Sequence, residues 1–224
     1  MDTVSETAGP YVSPYDNLTL GIAFGNTSIK NTVVEGNVVA HNRGGIAADH
    51  TTNSLGNVVR DNLIFDNVHF QLAVTDQGRA ECTPVFDDIY TGNTLVPGSR
   101  ADILFFQQDV RCPTLVDWGT IDNNMYATLY GDNILHRQHF TYAELNGDYT
   151  LAQWQAESGK DSSSREPPAS LTLPDDIAAT LYYNAARGRR IIMLDGTWRT
   201  LDGDSVSGLL NIEPYSGVVL VPTL

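Results

Sequence analysis

Asp49, Asp76 and Asp109 each follow one of three similar apolar segments, Gly45-Ile46-Ala47-Ala48, Gln71-Leu72-Ala73-Val74 and Asp102-Ile103-Leu104-Phe105. They lie three, four and six residues past Ile46, Leu72 and Ile103. Equivalent residues of a repeated strand stack on one another, so the three carboxylates would line up at one strand exit. Two carboxylates about 5–5.5 Å apart support retaining glycoside hydrolysis, and about 6.5–9.5 Å inverting hydrolysis. Asp102 and the pair Asp87-Asp88 fall on the same coils. A row of carboxylates on flexible loops also suits Ca²⁺, which takes oxygen ligands; no other cofactor is suggested. The competing reading is that these are solvated turn aspartates, selected for backbone reasons.

Two other chemistries use neighbouring residues. A lyase needs a base near an acidic C–H and a cation to neutralise a uronate, and His50, Arg79 and Arg111 sit near the same strand exits. His41, His69, His136 and His139 form no tight constellation and read as surface or packing residues. Sugar recognition without catalysis needs exposed rings and nearby amides. Phe70, Phe106, Trp118, Tyr126 and Tyr130 supply rings; Gln71, Gln107, Gln108 and Asp109 supply polar contacts. The alternative is that the aromatics plug the core. No nucleophile elbow, phosphate-binding glycine loop or His-Glu-x-x-His motif is present.

These residues are positioned by a repeat. Gly21-Ile22-Ala23-Phe24 is a fourth copy of the apolar segment, and the steps from Ile22 to Ile46, Leu72 and Ile103 lengthen gradually along the chain. Asn37 and Asn42 reappear one period later as Asn62 and Asn67, and Asn93 and Asn124 each follow after one further, longer period. Short apolar strands, Asn-bearing bends and such a period predict an all-β right-handed parallel β-helix solenoid of about five coils. The asparagines suit bends, because Asn tolerates the left-handed conformation, and stacked amides form ladders. Residues 1–16 read as an extended lead-in, 17–139 as the coils, and 140–224 as a C-terminal capping region. Within the cap, Thr150 to Gly159 reads as a capped helix and Lys160 to Pro168 as a linker. Residues 169–187 are ambiguous between helix and strand. Arg190–Leu194, Gly196–Leu201, Gly208–Ile212 and Gly217–Val221 read as strands of a small antiparallel unit, with Asp195-Gly196 as a turn.

The chain carries a net charge of −14, from 27 acidic and 13 basic residues. That balance disfavours nucleic acid, membrane surfaces and bare polyuronates, and leaves a neutral polysaccharide as the simpler partner. The separation of Cys82 and Cys112 is close to the local repeat, so they would sit on adjacent coils within disulfide reach. A bridge would imply a secreted or extracytoplasmic protein. No signal segment opens the sequence, and Met1 reads as the start of a fragment of a larger multidomain protein.

The segment Trp154-Gln155-Ala156-Glu157-Ser158-Gly159-Lys160-Asp161-Ser162-Ser163-Ser164 resembles the Trp-Gln-x-x-x-Gly-x-Asp-x-x-Ser stretch near the end of many right-handed parallel β-helix (pectate-lyase-like) proteins of secreted carbohydrate-active systems. Leu201 to Gly208 and Pro214 to Leu220 resemble their closing β unit, and Gly36-Asn37-Val38-Val39 and Asp61-Asn62-Leu63-Ile64 resemble their coils. The resemblance covers about nine tenths of the chain and includes no catalytic motif. It implies a glycan context. The expectation is a β-helix carbohydrate-binding module for an extracellular polysaccharide. Alternatives are a β-helix glycoside hydrolase or polysaccharide lyase, and a structural adhesin-type stalk.

Overall fold

A computed structural model describes residues 17–25, 29–50, 56–76, 87–109, 118–139 and 142–223. Among the described residues the protein is all-β, with 53% of them in strands. The strands come in repeating triplets. The first is β1 (Asn17–Gly25), β2 (Val33–Glu35) and β3 (Val38–Ala40). The second is β4 (Asn42–His50), β5 (Val58–Arg60) and β6 (Leu63–Phe65). The third is β7 (Phe70–Asp76), β8 (Ile89–Thr91) and β9 (Thr94–Val96). The fourth is β10 (Ile103–Asp109), β11 (Thr120–Asp122) and β12 (Met125–Tyr126). β13 (Asn133–His139) opens a fifth, which β14 (Gly147–Thr150) and α1 (Leu151–Ser158) close.

Each strand pairs in parallel with the strand three elements away. This makes three parallel sheets, β1-β4-β7-β10-β13, β2-β5-β8-β11 and β3-β6-β9-β12, with β14 added antiparallel to the first. The arrangement is compatible with a β-helix-like fold. In the first sheet Ile22, Ile46, Leu72, Phe105 and Leu135 share one register position. The sequence aligns Ile103 there; the structure pairs Ile103 with Phe70 instead, two residues away. The displaced residues lie in the corner before β10. There Asp102 Oδ2 accepts the Gly98 and Ser99 N–H groups and folds the extra chain into a compact bend.

The bends divide two tasks that the sequence assigns to asparagine alone. Ladder residues Asn37, Asn42, Asn62, Asn67, Asn93 and Asn124 are not left-handed. The residue before each one is: Gly36, His41, Asp61, Asp66, Gly92 and Asn123 all have positive φ. The left-handed residue turns the chain, and the Asn side chain then enters the interior. Asn37 donates from its backbone and its amide to Asn62 Oδ1, both at 3.0 Å. Asn62 does the same to Asn93, and Asn93 to Asn124. Pairing the buried amides with their neighbours stabilises the stack and fixes its register, while Asn37 Oδ1 and Asn42 Oδ1 at its start have no partner among the described residues. Val34, Val59, Tyr90, Ile121, Ile46, Leu72 and Phe105 belong to the apolar interior beside the ladder.

The tail packs on the side of the triplets. β15 (Thr180–Asn184), β16 (Arg190–Thr200), β17 (Ser205–Ile212) and β18 (Ser216–Pro222) form an antiparallel sheet in the order β15-β18-β16-β17. Leu171, Leu173, Val219 and Val221 cluster with Phe65, Val96 and Leu129 of the triplets. The Asp195-Gly196 turn expected from sequence is instead an irregularity inside one long strand, where pairing with β17 shifts between Met193 and Thr197. Within the ambiguous stretch, Ala169–Leu171 form a single 3-10 turn and Thr180–Asn184 form β15. The capped helix forms as its ends predict: Thr150 and Gln153 make a capping box, and Gly159 is left-handed at φ 68. The segment 160–168 is not a free linker, since Asp161 is buried and Arg165 bridges Met125.

Candidate functional site

The side chains that converge on one surface come from neighbouring strands of the six-stranded sheet. Phe106 pairs with Ala73 on one side and His136 on the other, next to inward-facing Phe105 and Leu135. Alternation along a strand therefore turns Phe106 and His136 away from the core. Phe70 and Phe106 stack with centroids 6.0 Å apart and planes 15° apart; Phe106 and His136 stack at 5.9 Å and 10°. At these separations the rings are offset-stacked. Beside them Gln108 donates to Gln138 at 3.2 Å, and His136 Nδ1 lies 2.6 Å from Asp148. The result is a ridge of three half-buried rings flanked by two amides and an imidazole–carboxylate pair.

Several expected site residues have other work. Trp118 is 0% exposed and belongs to the core, so it offers no face to a ligand. Tyr126 is also buried and donates to Asp161; Tyr130 is buried and donates to the Ile177 carbonyl. Gln71 is 0% exposed. Its Oε1 accepts from the Asn67 N–H and amide, and its own amide donates back to the Asn67 carbonyl. Gln71 thus ends the Asn42–Asn67 ladder, filling the place of the next triplet's asparagine. Gln107 is buried as well.

The acidic row is placed only by its backbone. Asp49 pairs with Thr75, while His50 pairs with Asp76, one position further on, and Asp109 pairs with His139. Thr75 pairs with Gln108, so Asp76 and Asp109 follow directly after a paired position. The Asp49, His50, Asp76 and Asp109 side chains lie outside the described residues, as do Arg79, Arg111, Cys82 and Cys112 entirely. Asp102 is a corner residue. Burial pushes its carboxyl up, and the Gly98 and Ser99 hydrogen bonds pull it back. Asp88 is buried and accepts the Asn57 N–H at 2.8 Å, extending another stacked series. Among the described residues no three His, Cys, Asp or Glu side chains are grouped to hold a metal ion. No helix among them is long and apolar enough to cross a membrane.

One feature was not legible in the repeat. A cavity of about 220 Å³ between the last triplet and the tail is lined by Thr128, Asp132, Thr150, Glu166 and Pro167, among others. Burial raises the Glu166 carboxyl above the ordinary value; the Thr128 hydrogen bond opposes this and nearby Asp132 adds to it. Asp132 and Glu166 are far apart in sequence and both lie off the repeating positions, so spacing carried no sign of them.

Compared with known proteins, the chain matches no family model, no curated protein and no solved structure.

Proposed function

We propose that the three parallel sheets are the faces of a right-handed parallel β-helix, and that the protein recognises an extended, neutral extracellular polysaccharide. The observation that carries this reading is the ring ridge Phe70–Phe106–His136 with Gln108 and Gln138 alongside. The rings form one series across neighbouring strands, and a polymer crossing those strands would meet them in turn. The facing surfaces of the rings are occupied by one another, so a sugar would contact ring edges and the amide row. That geometry favours weak, repeated contacts over one deep subsite, and the absence of a lysine or arginine from the ridge suits an uncharged chain. The net charge of −14 supports the same choice. An extracytoplasmic setting is part of the proposal, and thiol titration of the native protein tests it: two titrating thiols would remove the disulfide on which it rests.

A second reading, glycoside hydrolysis, is favoured by the Asp132–Glu166 cavity. A carboxyl raised by burial next to another carboxyl is the pattern of a general acid and its partner. One experiment separates the two. Soluble xylan, glucan, mannan, pectin and alginate are run in native affinity gels, and the same samples are assayed for reducing ends and unsaturated products. Retardation without products supports recognition. Product release that Glu166→Gln abolishes assigns hydrolysis to the cavity, and release that survives Glu166→Gln but not Asp109→Asn assigns it to the strand exits. Neither retardation nor products across the panel would leave the stalk reading standing.

A further inference from the structure

Exposed apolar side chains gather on one face of the β16–β17 hairpin. Ile191 is 60% exposed, Met193 70% and Leu209 60%. Met193 and Leu209 pair directly across the two strands, and Ile191 lies two residues along on the same face. The opposite face carries Leu194 and Ile212, both buried. Single exposed apolar residues are ordinary, but three adjacent ones on an edge hairpin mark a contact surface. β17 pairs only with β16 and contains no charged residue, although charge is the usual protection of a free edge.

The charge distribution says what this face can meet. Residues 180–224 hold four arginines, Arg187, Arg189, Arg190 and Arg199, and four acids, Asp195, Asp202, Asp204 and Glu213. Their net charge is zero, so the chain's whole excess of −14 lies in residues 1–179. Two copies approaching through residues 1–179 would meet this excess and repel each other; two copies approaching through this sheet would not. A strongly basic partner would be drawn to the rest of the chain rather than to this neutral face.

We propose that this hairpin face is where a second copy of the chain docks, apolar face on apolar face about a two-fold axis. The copies meet by faces rather than by continuous edge pairing. The pairing shift between Met193 and Thr197 and the left-handed Gly208, at φ 73, interrupt the regular edge of β17. Three apolar side chains per copy fall short of the about 800 Å² per partner of a standard interface. The dimer is therefore weak, with a Kd of roughly micromolar to millimolar. Dimerisation would present two ring ridges to one polymer and raise apparent affinity through avidity.

Sedimentation velocity of the full chain, from low micromolar concentration up to about 1 mM, tests this. The weight-average mass is expected to climb from 24.5 kDa towards twice that value. High salt should not reverse the rise. Met193→Lys and Leu209→Glu should each weaken association about tenfold or more while leaving the melting temperature unchanged, because both side chains are mainly exposed. A mass of 24.5 kDa at every concentration would overturn the proposal. So would an association that salt disperses, or one that neither substitution weakens. These outcomes do not depend on glycan binding, so failure here leaves the polysaccharide reading untouched.

Discussion

Trp154 Nε1 donates to Asp161 Oδ2 at 2.8 Å, joining helix α1 to the end of the asparagine ladder. The same carboxylate accepts from Tyr126 Oη, Asn124 Nδ2 and Ser164 Oγ, and the Asn124 N–H goes to Ser164 Oγ at 2.8 Å. Asp161 and Ser164 thus stand where another triplet's asparagine would be. Every partner of the Asp161 carboxylate is a donor, and a carboxamide would turn an N–H₂ towards some of them. Asp161→Asn should therefore destabilise the fold despite being isosteric, by about 1–3 kcal/mol for each buried donor left unpaired. Chemical denaturation with a fluorescence readout at Trp154 would measure the loss. A variant as stable as the parent would show that the carboxylate does not hold the ladder's end.

Asp161 also sets a pH dependence. Burial raises its carboxyl above the ordinary value, and the hydrogen bonds from Ser164, Trp154, Asn124 and Tyr126 offset this only in part. The folded state then holds the proton more tightly than the unfolded chain does. Its stabilising contribution is complete below the unfolded carboxylate value of about 3.9 and is lost as pH rises through the higher folded value. Asp122 has the opposite sign. Slight burial pushes it up, but bonds from the Ser163 and Asn123 N–H groups and from the Ser163 and Ser162 hydroxyls lower it overall. Its contribution is present above about 3.9 and is lost as pH falls through the depressed value. Melting curves from pH 3 to pH 7 should show a smaller acid-side loss in Asp122→Asn than in the parent.

The ladder can be tested at its centre. Asn93 Oδ1 accepts from the Asn62 N–H and amide, and Asn93 Nδ2 donates to the Val59 carbonyl and Asn124 Oδ1. Asn93→Ala orphans buried groups on both neighbouring triplets and should cost about 2–4 kcal/mol. Asn93→Asp should cost more at neutral pH, because an ionised carboxylate would face two oxygen acceptors. Lowering the pH should recover part of that loss by protonating it. Equal destabilisation of both variants at all pH values would argue that only shape matters at this position.

The ladder was legible in the sequence because identical amides recur at a nearly constant step, and a recurring buried polar group has few purposes other than to bond its own kind. Its αL partners were harder to see, since glycine, aspartate, histidine and asparagine all fill that position. The alignment slipped at Ile103 because the corner before β10 absorbs two residues without disturbing inward–outward parity. A parity-preserving slip leaves the hydrophobic pattern intact and so cannot be read from it. The aromatic candidates divide in the same way. Composition names Phe70, Phe106, Trp118 and Tyr126 together, and only the folded packing separates buried Trp118 and Tyr126 from half-buried Phe70 and Phe106.

That division predicts opposite outcomes for two aromatic truncations. Phe106 is the middle ring of the ridge and partly exposed, so Phe106→Ala removes contact with both Phe70 and His136 while opening no sealed cavity. It should leave the melting temperature within a few degrees of the parent and abolish most retardation in polysaccharide gels. Trp118 is 0% exposed, and Trp118→Ala should cost about 3–5 kcal/mol by leaving a core cavity. At a temperature where that variant remains folded, its retardation should match the parent's. Unchanged retardation in Phe106→Ala would remove the ridge from the binding surface. Loss of retardation in a fully folded Trp118→Ala would place the ligand contact elsewhere, since a residue with no exposed surface can reach a polymer only by altering what covers it.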